Sequence, residues 1–160
     1  MADAFKFKII NLIGHLYRHP SLHYAGRTEE SVKRIVIHHS GTKTGDPQSF
    51  AQFHVKHCGW PGIAYHYVIS KAGTIWKCNI IQSITYHAKG ANADSIGICL
   101  VGDFTKDDPT GAQIYALRYL VDEINKGFGK RKLAVVLHRD IKGSKTTCPG
   151  KNFPENWRTL

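Results

Sequence analysis

A single α/β domain, built on a central mixed β-sheet with helices packed on it, is the fold class predicted by this sequence. Three observations predict it. The chain has 160 residues, enough for one domain with a substantial core. Apolar, strand-like runs alternate along it with segments of helical periodicity. One run, residues 96–101, is apolar throughout apart from Gly97, as a central strand buried on both faces must be.

The elements follow in order. Residues 5–17 place Phe5, Ile9, Leu12, Ile13 and Leu16 at helix-like spacing, interrupted by Gly14. Residues 18–31 are polar and irregular. The expected organisation is an N-terminal arm or short helix over residues 1–31, packed on a domain formed by residues 32–160. Residues 35–39 read as a buried strand. Asp46-Pro47 starts a helix, a capping residue followed by proline at a position where the missing N–H costs nothing. Phe50, Phe53 and His57 share one face of that helix, which ends near Cys58-Gly59. Residues 65–70 and 74–78 are strand-like, joined by a hairpin turn at Lys71-Ala72-Gly73. Thr110 and Gln113 form a capping-box pattern. Ile114, Leu117, Leu120, Val121 and Ile124 then trace a helical stripe that Gly127 and Gly129 stop. Residues 133–137 form a last apolar strand that delivers His138 at its end.

Composition narrows the class. Hydrophobic residues make up 42% and charged residues 21%, the mixture of a folded chain rather than a disordered one. No uninterrupted apolar run approaches the ~20 residues of a membrane span. The N-terminus lacks the apolar core and cleavage site of a signal peptide, so the chain is expected to be made in the cytosol, with any export by another route. The net charge of +10 attracts polyanions: nucleic acid, anionic lipid or an anionic cell-wall polymer. Lys and Arg are spread along the chain, with no dense basic block, no phosphate-cradling glycine loop and no aromatic RNA-binding signature. A nucleic-acid-binding protein is therefore the less favoured alternative.

Cys58, Cys78, Cys99 and Cys148 form no CxxC pair, which argues against a structural zinc knuckle. Disulfides are the weaker reading in a cytosolically made chain. Cys99, inside an apolar run, reads as a small buried hydrophobe. Cys148 differs, because Thr147 and Pro149-Gly150 give it polar loop surroundings.

Two strand ends and this loop carry the chemistry. His38 closes the first apolar strand, His138 follows the last, and Cys148 lies shortly after it. A catalytic zinc takes three nitrogen, oxygen or sulfur ligands and keeps a position open for water, so convergence of the three predicts a metal-dependent hydrolase. His38 and His39 are adjacent on a strand and face opposite sides, so one of them enters a given site. A lone strand-end histidine is more often simply packed. Of the ten histidines, His15, His19 and His23 are expected at the surface, and His54 and His57 solvated or partly packed on their helix.

Six segments in order carry a resemblance: Ile37-His38-His39-Ser40-Gly41, Ala64-Tyr65-His66-Tyr67-Val68-Ile69, His87-Ala88-Lys89-Gly90, Asn92 through Ser95-Ile96-Gly97-Ile98-Cys99-Leu100-Val101-Gly102, His138-Arg139-Asp140 and Cys148-Pro149-Gly150. From about Val32 to Phe153 the chain resembles the type-2 N-acetylmuramoyl-L-alanine amidases, the family of phage endolysins, bacterial autolysins and animal peptidoglycan recognition proteins. The resemblance implies one zinc ion held by His38, His138 and Cys148, with Tyr65 beside the metal and His87 and Asn92 near the substrate cleft. It implies bacterial peptidoglycan as substrate, cut at the amide joining the lactyl group of N-acetylmuramic acid to L-alanine. A non-catalytic peptidoglycan-binding module of the same fold is the alternative, and Cys148, commonly missing from binding-only members, argues for the enzyme.

The physical roles stand beside the resemblance. Tyr65, with a reference pKa of about 10, is a poor base at rest and a better hydrogen-bond donor to a developing oxyanion. Some phage members carry lysine two residues before the cysteine ligand. This chain has Thr146 there, as in the recognition proteins with amidase activity, and it offers a neutral hydrogen bond instead of a charge. Asp140 and Lys145 are nearby in sequence, with a solvated surface role as the default. Trp60 reads equally as a sugar-stacking residue or as a cap on the helix end. The positive charge suits anionic wall polymers such as teichoic acids. A monomer is expected, released to the wall through a holin-type pore if it is a phage endolysin.

Overall fold

The computed structural model describes residues 7–160. Six strands form one mixed sheet: β1 (Ile9–Asn11), β2 (Arg34–His39), β3 (Tyr67–Ile69), β4 (Ile75–Lys77), β5 (Ser95–Leu100) and β6 (Ala134–Leu137). Their spatial order is β1-β4-β3-β5-β2-β6. Among the named strands of the described residues, the β3–β4 hairpin is antiparallel and the other four pairings are parallel. Two helices pack on the sheet, α1 (Pro47–Lys56) and α2 (Gly111–Gly127). This is the α/β architecture expected from the alternation of patterns.

The apolar run at 96–101 is central as expected: β5 lies between β3 and β2, and all six of its residues are buried. Both faces of the sheet are covered. On one face, Ile35, Ile37, Ile96, Ile98 and Leu100 pack against the stripe Ile114, Leu117, Leu120, Val121 and Ile124 of α2. On the other, Val68, Cys99 and Val101 meet Ala51 of α1, and Val36 meets Ala88, Ala91 and Ile141. The period-2 alternation of a strand therefore sends Ile35 and Ile37 toward α2, and Val36 and His38 to the opposite face.

Both helix starts are capping boxes. Asp46 accepts from the Ser49 N–H and Thr110 from the Gln113 N–H, and each partner side chain returns the bond. The face of α1 that carries Phe50, Phe53 and His57 is not its most buried one. Pro47, Ala51 and Val55 are buried, with Phe50 half-buried, whereas Phe53 and His57 are exposed. Small residues let the helix lie close to the sheet, and the Phe53 ring instead stacks on His57 at a centroid distance of 5.0 Å.

Of the two alternatives for residues 5–17, an arm or a short helix, the helix is not formed in the described part; Phe5 lies outside the described residues. Ile9, Ile10 and Asn11 pair in parallel with Ile75, Trp76 and Lys77, adding β1 to the sheet edge. The Asn11 side chain accepts from the Ile13 N–H at 3.0 Å, and Gly14 has φ +83°, so the chain turns instead of winding on. The rest of the arm is strapped across the molecule: His19 N–H donates to Pro61 O at 3.0 Å, and Tyr24 OH to Gly62 O at 2.7 Å. No helix among the described residues is long and apolar enough to cross a membrane.

Candidate metal centre

Register builds the site. β2 and β6 are adjacent and parallel, with Ile37 opposite Leu137, so the residue that follows in each, His38 and His138, emerges at the same carboxyl end of the sheet. Their ring centroids lie 4.5 Å apart. Sites in α/β sheets form at the carboxyl ends of the strands, and this one obeys the rule. His138 opens a 3-10 turn, His138–Asp140, whose Arg139 N–H donates to Cys148 O at 2.8 Å. Arg139 Nη1 donates to Gly150 O at 2.8 Å. These two bonds fold the loop back so that Cys148 Sγ sits 3.7 Å from His38 Nδ1.

The donor atoms of His38, His138 and Cys148 all lie within 4.8 Å of one another. A tetrahedral zinc with its usual bond lengths requires a nitrogen–sulfur separation of about 3.6 Å, which the His38–Cys148 pair already has. Burial holds His38 well below its ordinary pKa, aided by the neighbouring histidines, and burial also lowers His138. Both rings are thus neutral near pH 7, the form that ligates metal. The donor set fits a zinc ion.

His39 turns away, as alternation demands. Its Nδ1 accepts from the Phe104 N–H at 3.0 Å, while its own backbone N–H donates to Cys148 Sγ at 3.4 Å. Tyr65 stands beside the donors, its ring 5.4 Å from that of His38. Burial, and then the thiols of Cys99 and Cys148, push the Tyr65 pKa well above its ordinary value, so its hydroxyl keeps its proton. Thr146 lies in the cysteine loop, where its Oγ1 accepts from the Cys148 N–H at 3.1 Å, leaving its own hydrogen free to donate. Asp140 and Lys145 are exposed.

The remaining expected residues divide. Trp60 is half-buried in a row of rings, 5.1 Å from His54 and 6.0 Å from Tyr86. Asn92 Oδ1 accepts from the Ala88 N–H at 2.7 Å, so its oxygen holds the loop closed. His87 is buried and lies against His38, with His38 Nε2 and His87 Nδ1 2.9 Å apart. Sequence reasoning gave no site role to His54, whose Nδ1 accepts from the Ala64 N–H at 3.0 Å and so ties α1 to the segment carrying Tyr65. It also gave none to Ser95, whose hydroxyl meets His87. Neither residue has a spacing signal, because each partner comes from another loop.

A family model described as N-acetylmuramoyl-L-alanine amidase matches residues 28–151. The chain belongs to that amidase family. The amidase match takes in all three donors and Tyr65. The chain is 37% identical to the endolysin of Escherichia phage T7 over 140 residues, covering 82% of this chain and 89% of that protein. The solved Ph2119 endolysin from a Thermus scotoductus bacteriophage is similar at a TM-score of 0.79 and 30% identity, covering 90% of this chain and 92% of that one. Bumblebee PGRP-SA shares the fold at a TM-score of 0.82 and 18% identity, covering 97% and 96%.

The amidase loop has one position with no steric freedom. Gly150 has φ +101°, and a Cβ there would sit 2.4 Å from the Phe104 carbonyl carbon. Gly150→Ala is expected to cost at least about 2 kcal/mol, combining backbone strain with a main-chain clash. Urea unfolding at unchanged slope, with a lowered midpoint, checks it.

Proposed function

We propose that this chain is a zinc-dependent N-acetylmuramoyl-L-alanine amidase, cutting the amide between the lactyl group of N-acetylmuramic acid and L-alanine in bacterial peptidoglycan. Its family supports peptidoglycan hydrolysis at the cell wall. The convergence of His38, His138 and Cys148 at the carboxyl end of the sheet carries the finer reading. Residues 32–160 are the catalytic unit in this reading, braced by the described part of the arm that precedes them, residues 7–31.

Zinc held by these three residues would supply Lewis acidity toward the scissile carbonyl and lower the pKa of water to about 7. The chain's own groups do the rest. His38 and His138 offer neutral nitrogens, and Cys148 a sulfur that the His39 N–H steadies. Tyr65, kept protonated, donates a hydrogen bond to the carbonyl oxygen as negative charge develops there. Thr146 adds a neutral donor. Trp60, between His54 and Tyr86, offers a ring face to the sugar, and the Asn92 amide NH2 is the part of that side chain left to substrate. The positive charge draws the enzyme to anionic wall polymers.

Cys148 sets the pH dependence of metal binding. Burial pushes its thiol up to about 12, against the opposing pull of the His39 N–H and Arg139. Binding must displace that proton, whereas the two histidines are already neutral. The apparent zinc association constant is therefore expected to rise about tenfold per unit between about pH 7 and pH 8, by chelator-competition titration.

The bond assignment has a direct test. On purified peptidoglycan, end-group labelling should reveal new L-alanine amino termini and no new reducing sugar ends. New reducing ends alone would mean a glycosidase. Binding without either product would mean a recognition module.

A further inference from the structure

The loop residue His87 matches a family motif expected near the substrate, yet it is buried behind His38 and hydrogen-bonds to it. A chain of bonds decides which protons these rings carry. Ser95 Oγ lies 2.5 Å from Ala91 O, a carbonyl that only accepts, so the single hydroxyl hydrogen of Ser95 is committed there. Ser95 Oγ is also 3.1 Å from His87 Nε2 and must accept from it, which puts the His87 proton on Nε2. In a neutral imidazole the second nitrogen then carries a lone pair, so His87 Nδ1 is an acceptor. His38 Nε2, 2.9 Å away, must then be the donor. That leaves His38 Nδ1 as a bare lone pair, and it is this atom that faces Cys148 Sγ.

We propose that the Ala91–Ser95–His87 chain fixes His38 in its Nε2–H tautomer, so that Nδ1 is presented to the metal, and that His87 is a positioning residue and not a substrate contact. This rests on the zinc reading above. Ligating histidines generally need their second nitrogen anchored in this way, and loss of such an anchor lowers metal affinity by about 10–100-fold. The anchor is usually a carboxylate or carbonyl. Here it is a second imidazole, whose orientation needs a relay of its own.

The surroundings are built to hold that relay. Gly97 of β5 has no side chain where His87 lies, and a Cβ there would sit 2.6 Å from the ring Cγ. Asn92 Oδ1 clamps the Ala88 N–H at 2.7 Å, and Arg27 Nη1 donates to Asn92 O at 2.8 Å. His66 backs the ring at a centroid distance of 5.8 Å, itself fixed by accepting from the Gly97 N–H and donating to Ser83 O.

Two readouts on intact protein test the proposal: long-range proton–nitrogen NMR of the His38 ring without metal, and zinc affinity by competition with a chromophoric chelator. The wild type should show Nε2–H and a bare Nδ1. His87→Ala and Ser95→Ala should each give mixed tautomers and zinc affinity about 10–100-fold lower. His87→Asn, whose Oδ1 takes the place of Nδ1 as acceptor, should restore both to within about threefold of wild type. A purely structural His87 would shift the unfolding midpoint but leave tautomer and affinity unchanged in folded variants, and that result overturns the proposal. A wild-type His38 protonated on Nδ1 overturns it equally. If His87→Ala does not fold, Ser95→Ala and His87→Asn decide. Wild-type protein that bound no zinc would contradict the functional reading instead, and the metal-free tautomer would still decide this one.

Discussion

Cys148→Ser is expected to abolish tight zinc binding and to lower peptidoglycan hydrolysis by at least about a thousandfold, the several kcal/mol that metal polarisation contributes. The substitution is nearly isosteric. Serine can still accept from the His39 N–H, which now donates to Sγ at 3.4 Å, and the loop keeps its bonds from Arg139. The fold should therefore survive, and circular dichroism should match the wild type. What changes is the donor: a soft thiolate becomes a neutral hydroxyl that does not ionise near neutral pH. Zinc stoichiometry on the purified variant, alongside its rate, separates this from simple unfolding.

Tyr65→Phe carries the second large effect. The ring contacts with His38 and His54, at 5.4 and 5.7 Å, remain, and zinc affinity should stay within a few-fold of wild type. The hydroxyl alone is lost. Removing one donor to a developing oxyanion typically lowers kcat by about 10²–10³-fold, with KM nearly unchanged. The pKa of Tyr65 is raised, so the group is a donor everywhere below its ordinary value, and activity should not fall through Tyr65 ionisation up to about pH 10. Steady-state kinetics on a soluble muropeptide checks the split between kcat and KM. A tenfold loss of zinc affinity would assign the hydroxyl to metal positioning instead.

The architecture was legible where one pattern dominated. The apolar runs of β2, β5 and β6 and the long stripe of α2 leave no competing period, and their ends deliver His38 and His138. A helix and an arm both stayed open for the segment holding β1, because Ile9, Leu12, Ile13 and Leu16 fit helical spacing, while the decisive interactions are pairings with residues 75–77, far away in sequence. Which side α1 turns to the sheet was not legible from the shared face of Phe50, Phe53 and His57, because close approach to the sheet favours Ala51 and Val55. The metal donors could be named as types at strand ends, yet their meeting depends on the β2–β6 register and on Arg139 tying back the Cys148 loop. The relay proposed behind His38 was invisible, since hydrogen-bond direction through His87 and Ser95 exists only once β2, β5 and the segment before β5 are folded together.

Mass spectrometry of fragments released from purified peptidoglycan, with the protein stripped by a chelator and then reloaded with one equivalent of zinc, tests the central claim most directly. The stripped protein should release no stem peptides, and with zinc restored it should release peptides beginning at L-alanine. Undiminished release of those peptides by protein shown to hold no metal would contradict the claim.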